Sequence, residues 1–362
     1  MLAIKNALSA VKSRSLSRCI SSCQIMFKEH GEPLDVLYEK TQDIGPLGPN
    51  DVLVNYRASP INPSDINTIQ GTYPLKPKLP GVPGNEGAGY VLECGPGVSK
   101  LKPGDLVMPG EASLGTWRSA AVYNESQLIK LNPKLDIMQA AFLNINPSTA
   151  YLMLKNYVDL KPGDCVIQNG ATSAVGIYVM QMCKLMGINT INIFRARETP
   201  EMTEATRQAL LDFGGTLVVT EDELEAYEDI QRFGKIRIGF NCVGGKPTLA
   251  LIKRLDYSGV LVTYGGMARQ PIPTPIGPLI FKDLQLRGFW LSGRENQSGN
   301  KEARLAMLEE ITDWILSGKI KIAPFESIPH TDWKSAVSKS IFKDDIPRNL
   351  PRKIVLSFPE IL

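Results

Sequence analysis

Histidine is almost missing from this chain: its 362 residues include two, His30 and His330. Cysteine is also sparse, at positions 19, 23, 94, 165, 183 and 242, with no Cys-x-x-Cys pair and no disulfide framework. That pattern suits a reducing compartment. Cys165 and Cys183 lie in apolar runs, where a free thiol behaves as a small core hydrophobe. No stretch of about 18 or more predominantly apolar residues occurs, which argues against a membrane span.

Acid is absent from the first 28 residues, which carry Lys5, Lys12, Arg14, Arg18, Lys28 and six serines before Glu29. Such a segment reads as a removable mitochondrial (matrix) transit peptide, residues 1–28, or else as a disordered basic tail. Removing its five positive charges takes the formal net charge from +3 to −2. The basicity of the whole chain is then no argument for nucleic acid.

What is present divides in two. Residues 29–150 are rich in Val, Gly and Pro, with short alternating segments such as Asp51–Arg57 and Gly89–Cys94 between turn clusters, which predicts a β-rich, barrel-like domain. Residues 151–293 alternate strand and helix. Strands are expected at 166–168, 190–194, 217–220, 237–242, 260–264 and 284–289, with helices at 174–186, 200–213, 222–233 and 247–255. The fold class is therefore α/β, with a doubly wound parallel sheet. A polar stretch, 293–300, precedes a helix at 302–316, and the apolar run 353–358 is suited to a strand closing the first domain. Residues 294–362 are accordingly assigned to that domain.

Val166–Gln168 runs into Gly170, Ala171, Thr172, Ser173, Ala174, Val175 and Gly176, a turn of small residues opening a helix. Backbone N–H groups at such a turn can approach a pyrophosphate; a plain strand–helix turn is the alternative. The next strand ends at Phe194 and leads into Arg195 and Arg197, with no acid at its end. Two guanidiniums there suit the 2′-phosphate of NADP rather than the bare ribose of NAD, unless they are a solvated basic loop. Val260–Thr263 ends in Tyr264-Gly265-Gly266-Met267, bare backbone at the sheet's carboxyl edge.

Ile61–Tyr73, Gly84–Gly87, Gly115–Arg118, Val166–Gly170, Asn241–Lys246, Thr263–Met267 and Phe281–Ser292 occur in order and at characteristic spacing. Through them the chain resembles the zinc-free branch of the medium-chain dehydrogenase/reductase superfamily, most closely the mitochondrial trans-2-enoyl thioester reductases. The resemblance covers nearly everything after the basic segment. It implies a GroES-like catalytic domain, a Rossmann-type NADPH-binding domain and a homodimer. Asn62 and Asn85 stand where zinc alcohol dehydrogenases show ligands, so a zinc site of N and S ligands cannot be assembled there. His30 and His330 are expected at the surface.

In this family a tyrosine at the position of Tyr73 is the proposed proton donor. The residues alone would equally allow Tyr73 to pack at a loop tip beside Pro74. The resemblance further implies cofactor contacts from Asn146 (otherwise a helix cap), Thr172, Ser173, Ala174, Val175, Arg195, Arg197, Tyr264, Gly265, Gly266, Met267, Phe289, Trp290, Leu291, Ser292 and Lys353 (otherwise a surface lysine). A glycine is more usual at the position of Ala174. Trp290 is a core residue or a border of the acyl pocket. The implied reaction reduces enoyl thioesters of acyl carrier protein or coenzyme A during mitochondrial fatty acid synthesis. Lys76, Lys78, Arg294 and Arg304 are candidates for meeting an acidic carrier protein. Two rivals are a zinc-free NADPH quinone oxidoreductase and a non-catalytic dinucleotide-binding protein.

Overall fold

A computed structural model of the protein describes residues 20–295, 300–342 and 350–361. Most of the basic segment, residues 1–19, lies outside the described residues. Ser21–Phe27, however, is a strand (β1), paired antiparallel with β2, Leu37–Asp43. Ile25 and Phe27 are buried, and Phe27 is bridged to Gly81. The expected basic segment 1–28 therefore overlaps a strand that packs in the first domain's core.

A seven-stranded sheet forms the body of the first domain. It is built from β3 (Asp51–Pro60), β4 (Ala88–Cys94), β5 (Leu106–Pro109), β6 (Ala120–Asn124), β7 (Leu128–Lys130) and, from the far end of the chain, β14 (Phe325–Pro329) and β15 (Lys353–Ser357). β15 lies antiparallel to β3, through Val355, Leu356 and Ser357, so the C-terminal run closes the first domain as expected. Val52, Val54, Tyr56, Trp117, Trp333 and Leu356 share its core.

The second sheet holds β8 (Cys165–Gln168), β9 (Asn189–Phe194), β10 (Leu217–Thr220), β11 (Ile236–Asn241), β12 (Val260–Thr263) and β13 (Gln285–Gly288). All its pairings are parallel, in the order β10-β9-β8-β11-β12-β13. Apart from β13, its strands are largely apolar because both faces are covered. Val166, Ile238 and Val262 face one core, while Ile167, Ile193 and Leu261 face another.

One element departs from its expected limits. The helix expected at 222–233 breaks: Thr220 caps Glu221–Ala226 through the Glu223 N–H, Tyr227 leaves the helical region, and a short 3₁₀ turn follows at Ile230–Phe233. β13 is an exposed edge strand. The helix Lys301–Leu316 buries Met307, Leu308 and Ile311 in the same core as Tyr178, Val179, Phe240 and Val260. That core also takes in Ala58, Ala88, Leu106 and Met108 of the first sheet, so the helix packs in a core that the two sheets share.

Candidate active site

Strands leave β8 in two directions, through β9 to β10 and through β11 to β13. In such sheets the crevice at the carboxyl ends, where the winding reverses, receives the ligand. The small-residue turn lies there. Gly170 has φ 61°, and a Cβ on it would stand 2.3 Å from Cys242 Sγ. Ser173 caps the helix Ala174–Leu185, its Oγ accepting from the Gly176 N–H at 3.1 Å. Ala174 is simply the first helical residue, so a methyl group there imposes no strain. The helix N-terminus leaves N–H groups for an anion.

Two asparagines hold the turn to its neighbours. The Asn169 amide donates to Asn241 Oδ1 at 2.7 Å, and the Cys242 N–H donates to Asn169 Oδ1 at 2.9 Å. The Tyr264 N–H meets Asn241 O and the Met267 N–H meets Cys242 O, laying the loop after β12 along the loop after β11. Tyr264 is enclosed beside Cys242 and Ser173, and burial pushes its hydroxyl well up. At Gly266 a Cβ would have no heavy atom within 4 Å, so the backbone faces open space. A helix terminus and a bare backbone strip on one sheet edge fit a dinucleotide. Sequence reasoning passed over Asn169 and Asn241, although each ends a buried strand just before glycines, where an amide can tie loops together.

Arg195 and Arg197 follow β9 but are held differently. Arg197 is half-buried: its N–H donates to Thr203 Oγ1 at 2.9 Å and its Nε to Thr206 Oγ1 at 3.4 Å. Arg195 is exposed and lies near Glu221. Burial and Asp222 push the Glu221 carboxyl up, while Arg195 and Lys246 pull it down. Lys246 is thus a third cation in this corner, after the Gly244-Gly245 turn.

Tyr73 follows the helix Pro63–Ile69, its N–H donating to Asn67 O at 3.1 Å. Across the cleft, Trp290 Nε1 donates to Tyr73 Oη at 2.7 Å, and the rings meet edge-on at 6.0 Å. The indole lies over Gly293, where a Cβ would come within 2.2 Å of it. Trp290 is therefore a cleft residue, whereas its neighbours Phe289, Leu291 and Ser292 are buried. Arg269 Nη2 also reaches across, to Gln70 Oε1 at 3.3 Å.

Asn62 and Asn85 are buried, and their amides are taken up by carboxylates: Asn62 Nδ2 donates to Glu86 Oε2 at 2.8 Å and Asn85 Nδ2 to Asp65 Oδ1 at 2.9 Å. Among the described residues, no group of three or more His, Cys, Asp or Glu is placed to hold a metal ion. Asn146 is the first residue of its helix, yet its side chain turns inward to Asn62 and Glu86 rather than capping. Lys353, half-buried at the start of β15, donates to Asn62 Oδ1 rather than standing in solvent.

Other surface expectations are corrected. His30 is half-buried against Phe27 and Ile69 O, and His330 stacks on Phe358. Arg304 is occupied by Gly110 O and Asn144 Oδ1, so it is not available to a partner. Lys76 and Lys78 are exposed beside the Tyr73 loop.

Residues 48–133 match the alcohol dehydrogenase GroES-like domain, and residues 174–309 match the zinc-binding dehydrogenase domain. A mitochondrial enoyl-acyl-carrier-protein reductase of Caenorhabditis elegans is 44% identical over 308 residues, covering 85% of this chain and 88% of its own. The mitochondrial 2-enoyl thioester reductase Etr1p/Etr2p heterodimer from Candida tropicalis aligns with a TM-score of 0.85 at 36% identity, over 94% of this chain and 100% of that chain. The Etr1p/NADP/crotonyl-CoA complex aligns with the same TM-score, identity and coverage.

Proposed function

The chain belongs to the mitochondrial enoyl-acyl-carrier-protein reductases of the medium-chain dehydrogenase/reductase superfamily, and from that premise we propose how its cleft reduces a 2-enoyl thioester with NADPH. When bound, NADPH supplies a hydride to the β-carbon of the unsaturated acyl group. Negative charge then develops on the thioester carbonyl as an enolate. Tyr73 serves as the acid: its phenol donates as that charge appears, the proton ends on the α-carbon of the saturated thioester, and the phenol regains a proton from water. The hydrogen bond from Trp290 to Tyr73 Oη carries this reading, because an oxygen that accepts from the indole keeps its own proton to donate.

The pyrophosphate rests on the helix N-terminus behind Thr172, Ser173, Ala174 and Val175. Arg195 and Arg197, with Lys246, take the 2′-phosphate. Tyr264, Gly265, Gly266 and Met267, with Phe289, Leu291 and Ser292, line the cofactor, and Asn146 and Lys353 approach its nicotinamide end. The enzyme works in the mitochondrion.

An acyl carrier protein brings the acyl chain past Lys76 and Lys78. Two copies pair along β13: all four of its residues are exposed, and Ile276, Ile280 and Phe281 beside it are 72%, 65% and 78% exposed. Steady-state rates with enoyl thioesters of several lengths, on coenzyme A and on carrier protein, test the substrate assignment. Sedimentation at several concentrations tests the dimer.

A further inference from the structure

Where the two domains meet, a buried carboxylate remains that the steps above do not use. The Glu86 side chain is fully enclosed. Its Oε1 accepts from the Ile145 N–H at 2.8 Å, and its Oε2 from Asn62 Nδ2 at 2.8 Å and Asn146 Nδ2 at 3.4 Å. Asn62 Oδ1 in turn accepts from the Lys353 ammonium and from Asn146 Nδ2. The Asn62 backbone N–H is held by Asp65 Oδ2 at 2.8 Å, while Asp65 Oδ1 is taken by Asn85. Asn62, Asn146 and the Ile145 N–H thus converge on the Glu86 carboxylate, and Lys353 is joined to it through Asn62.

An enclosed carboxylate persists only when hydrogen-bonded and paired with a cation. This one also dictates orientation. When ionised the group only accepts, so Asn62 and Asn146 both turn their NH₂ ends toward it, which fixes where their carbonyl ends point. Asn62 Oδ1 is thereby aimed at Lys353.

We propose that Glu86 is a positioning residue for hydride transfer, orienting Asn146 directly and Lys353 through Asn62, and so setting the pose of the nicotinamide end. This rests on the assignment of Asn146 and Lys353 made above. Glu86→Gln preserves shape but supplies an N–H where three donors converge, so one asparagine is free to flip.

The test compares Glu86→Gln with wild type in the full-length enzyme. It measures the NADPH dissociation constant, the emission of bound NADPH, and kcat and KM. Emission reports the surroundings of the nicotinamide ring, whereas affinity is dominated by the phosphate contacts. The expected result is affinity within about threefold of wild type, reduced bound-state emission, and kcat down by about tenfold to a hundredfold with the thioester KM little changed. Unchanged kcat and emission would overturn the proposal, as would a lower unfolding midpoint accompanied by unchanged kcat. If Glu86→Gln does not fold, Asn62→Ser cuts the link to Lys353; the same loss of emission and kcat is expected, and wild-type values would refute the link. If the wild type itself reduced no enoyl thioester, the functional assignment would fall, while the emission comparison would still decide the role of Glu86.

Discussion

The indole N–H of Trp290 donates to the phenol oxygen of Tyr73 at 2.7 Å, joining loops 217 residues apart in sequence. This bond fixes the direction of the phenol's remaining proton. Tyr73→Phe should lower kcat by about a hundredfold or more while leaving NADPH affinity within a fewfold. Trp290→Phe keeps the acid but releases its orientation, and should cost about tenfold. Because the two residues act as one unit, the double variant should be little worse than Tyr73→Phe alone. Rates measured at saturating NADPH check all three.

Gly293 gives the indole its seat. A methyl group there would meet the ring at 2.2 Å, so Gly293→Ala must push Trp290 aside. The expected outcome is a kcat loss like that of Trp290→Phe. Turnover at the wild-type rate would show that the indole can move without disturbing the acid.

Arg195 and Lys246 flank Glu221, and Arg197 follows two residues after Arg195. A charge-assisted hydrogen bond to phosphate is worth about 1.5–3 kcal/mol. Replacing both arginines with alanine should therefore raise the NADPH dissociation constant by about tenfold to a hundredfold while changing that for NADH little. Equal losses for the two cofactors would remove these residues from the 2′-phosphate.

The burial of Glu86 gives stability a pH dependence. Burial, with a smaller push from Asp65, raises its carboxyl from 4.5 to about 7, against the pull of Lys353 and the Asn62 and Ile145 donors; the Tyr178 hydroxyl faces it as well. The folded state therefore holds this proton more tightly than the unfolded chain does. The contribution is fully present below about pH 4.5 and is lost as pH rises through about 7, by up to about 3 kcal/mol. Urea unfolding of wild type and Glu86→Gln at pH 5 and pH 8 measures it. Wild type should lose more stability across that interval than the variant, and parallel losses would assign the dependence to other groups.

The second sheet was legible because buried parallel strands are plain apolar runs: Leu217–Thr220 is found at the limits expected, and the Ser173–Ala174 turn lies where its small residues placed it. β1 was hidden because Ser21–Phe27 continues an acid-free basic segment, and only its pairing with β2 and its contact with Gly81 reveal a strand. The helix Lys301–Leu316 presents an apolar stripe that does not say which core it joins. The largest omission was the cluster around Glu86. Local pattern carries no information about four residues brought together from positions 62, 86, 146 and 353. The indole bond to Tyr73 was unreadable for the same reason, although both residues had been singled out.

The central claim is a reaction, and one assay addresses it directly. Purified enzyme is mixed with NADPH and either a 2-enoyl thioester, such as crotonyl- or 2-hexenoyl-CoA, or a quinone, and cofactor oxidation is followed by absorbance. Saturable oxidation is expected with the thioester, much slower oxidation when NADH replaces NADPH, and little with the quinone. Rapid quinone reduction without thioester reduction would contradict the claim.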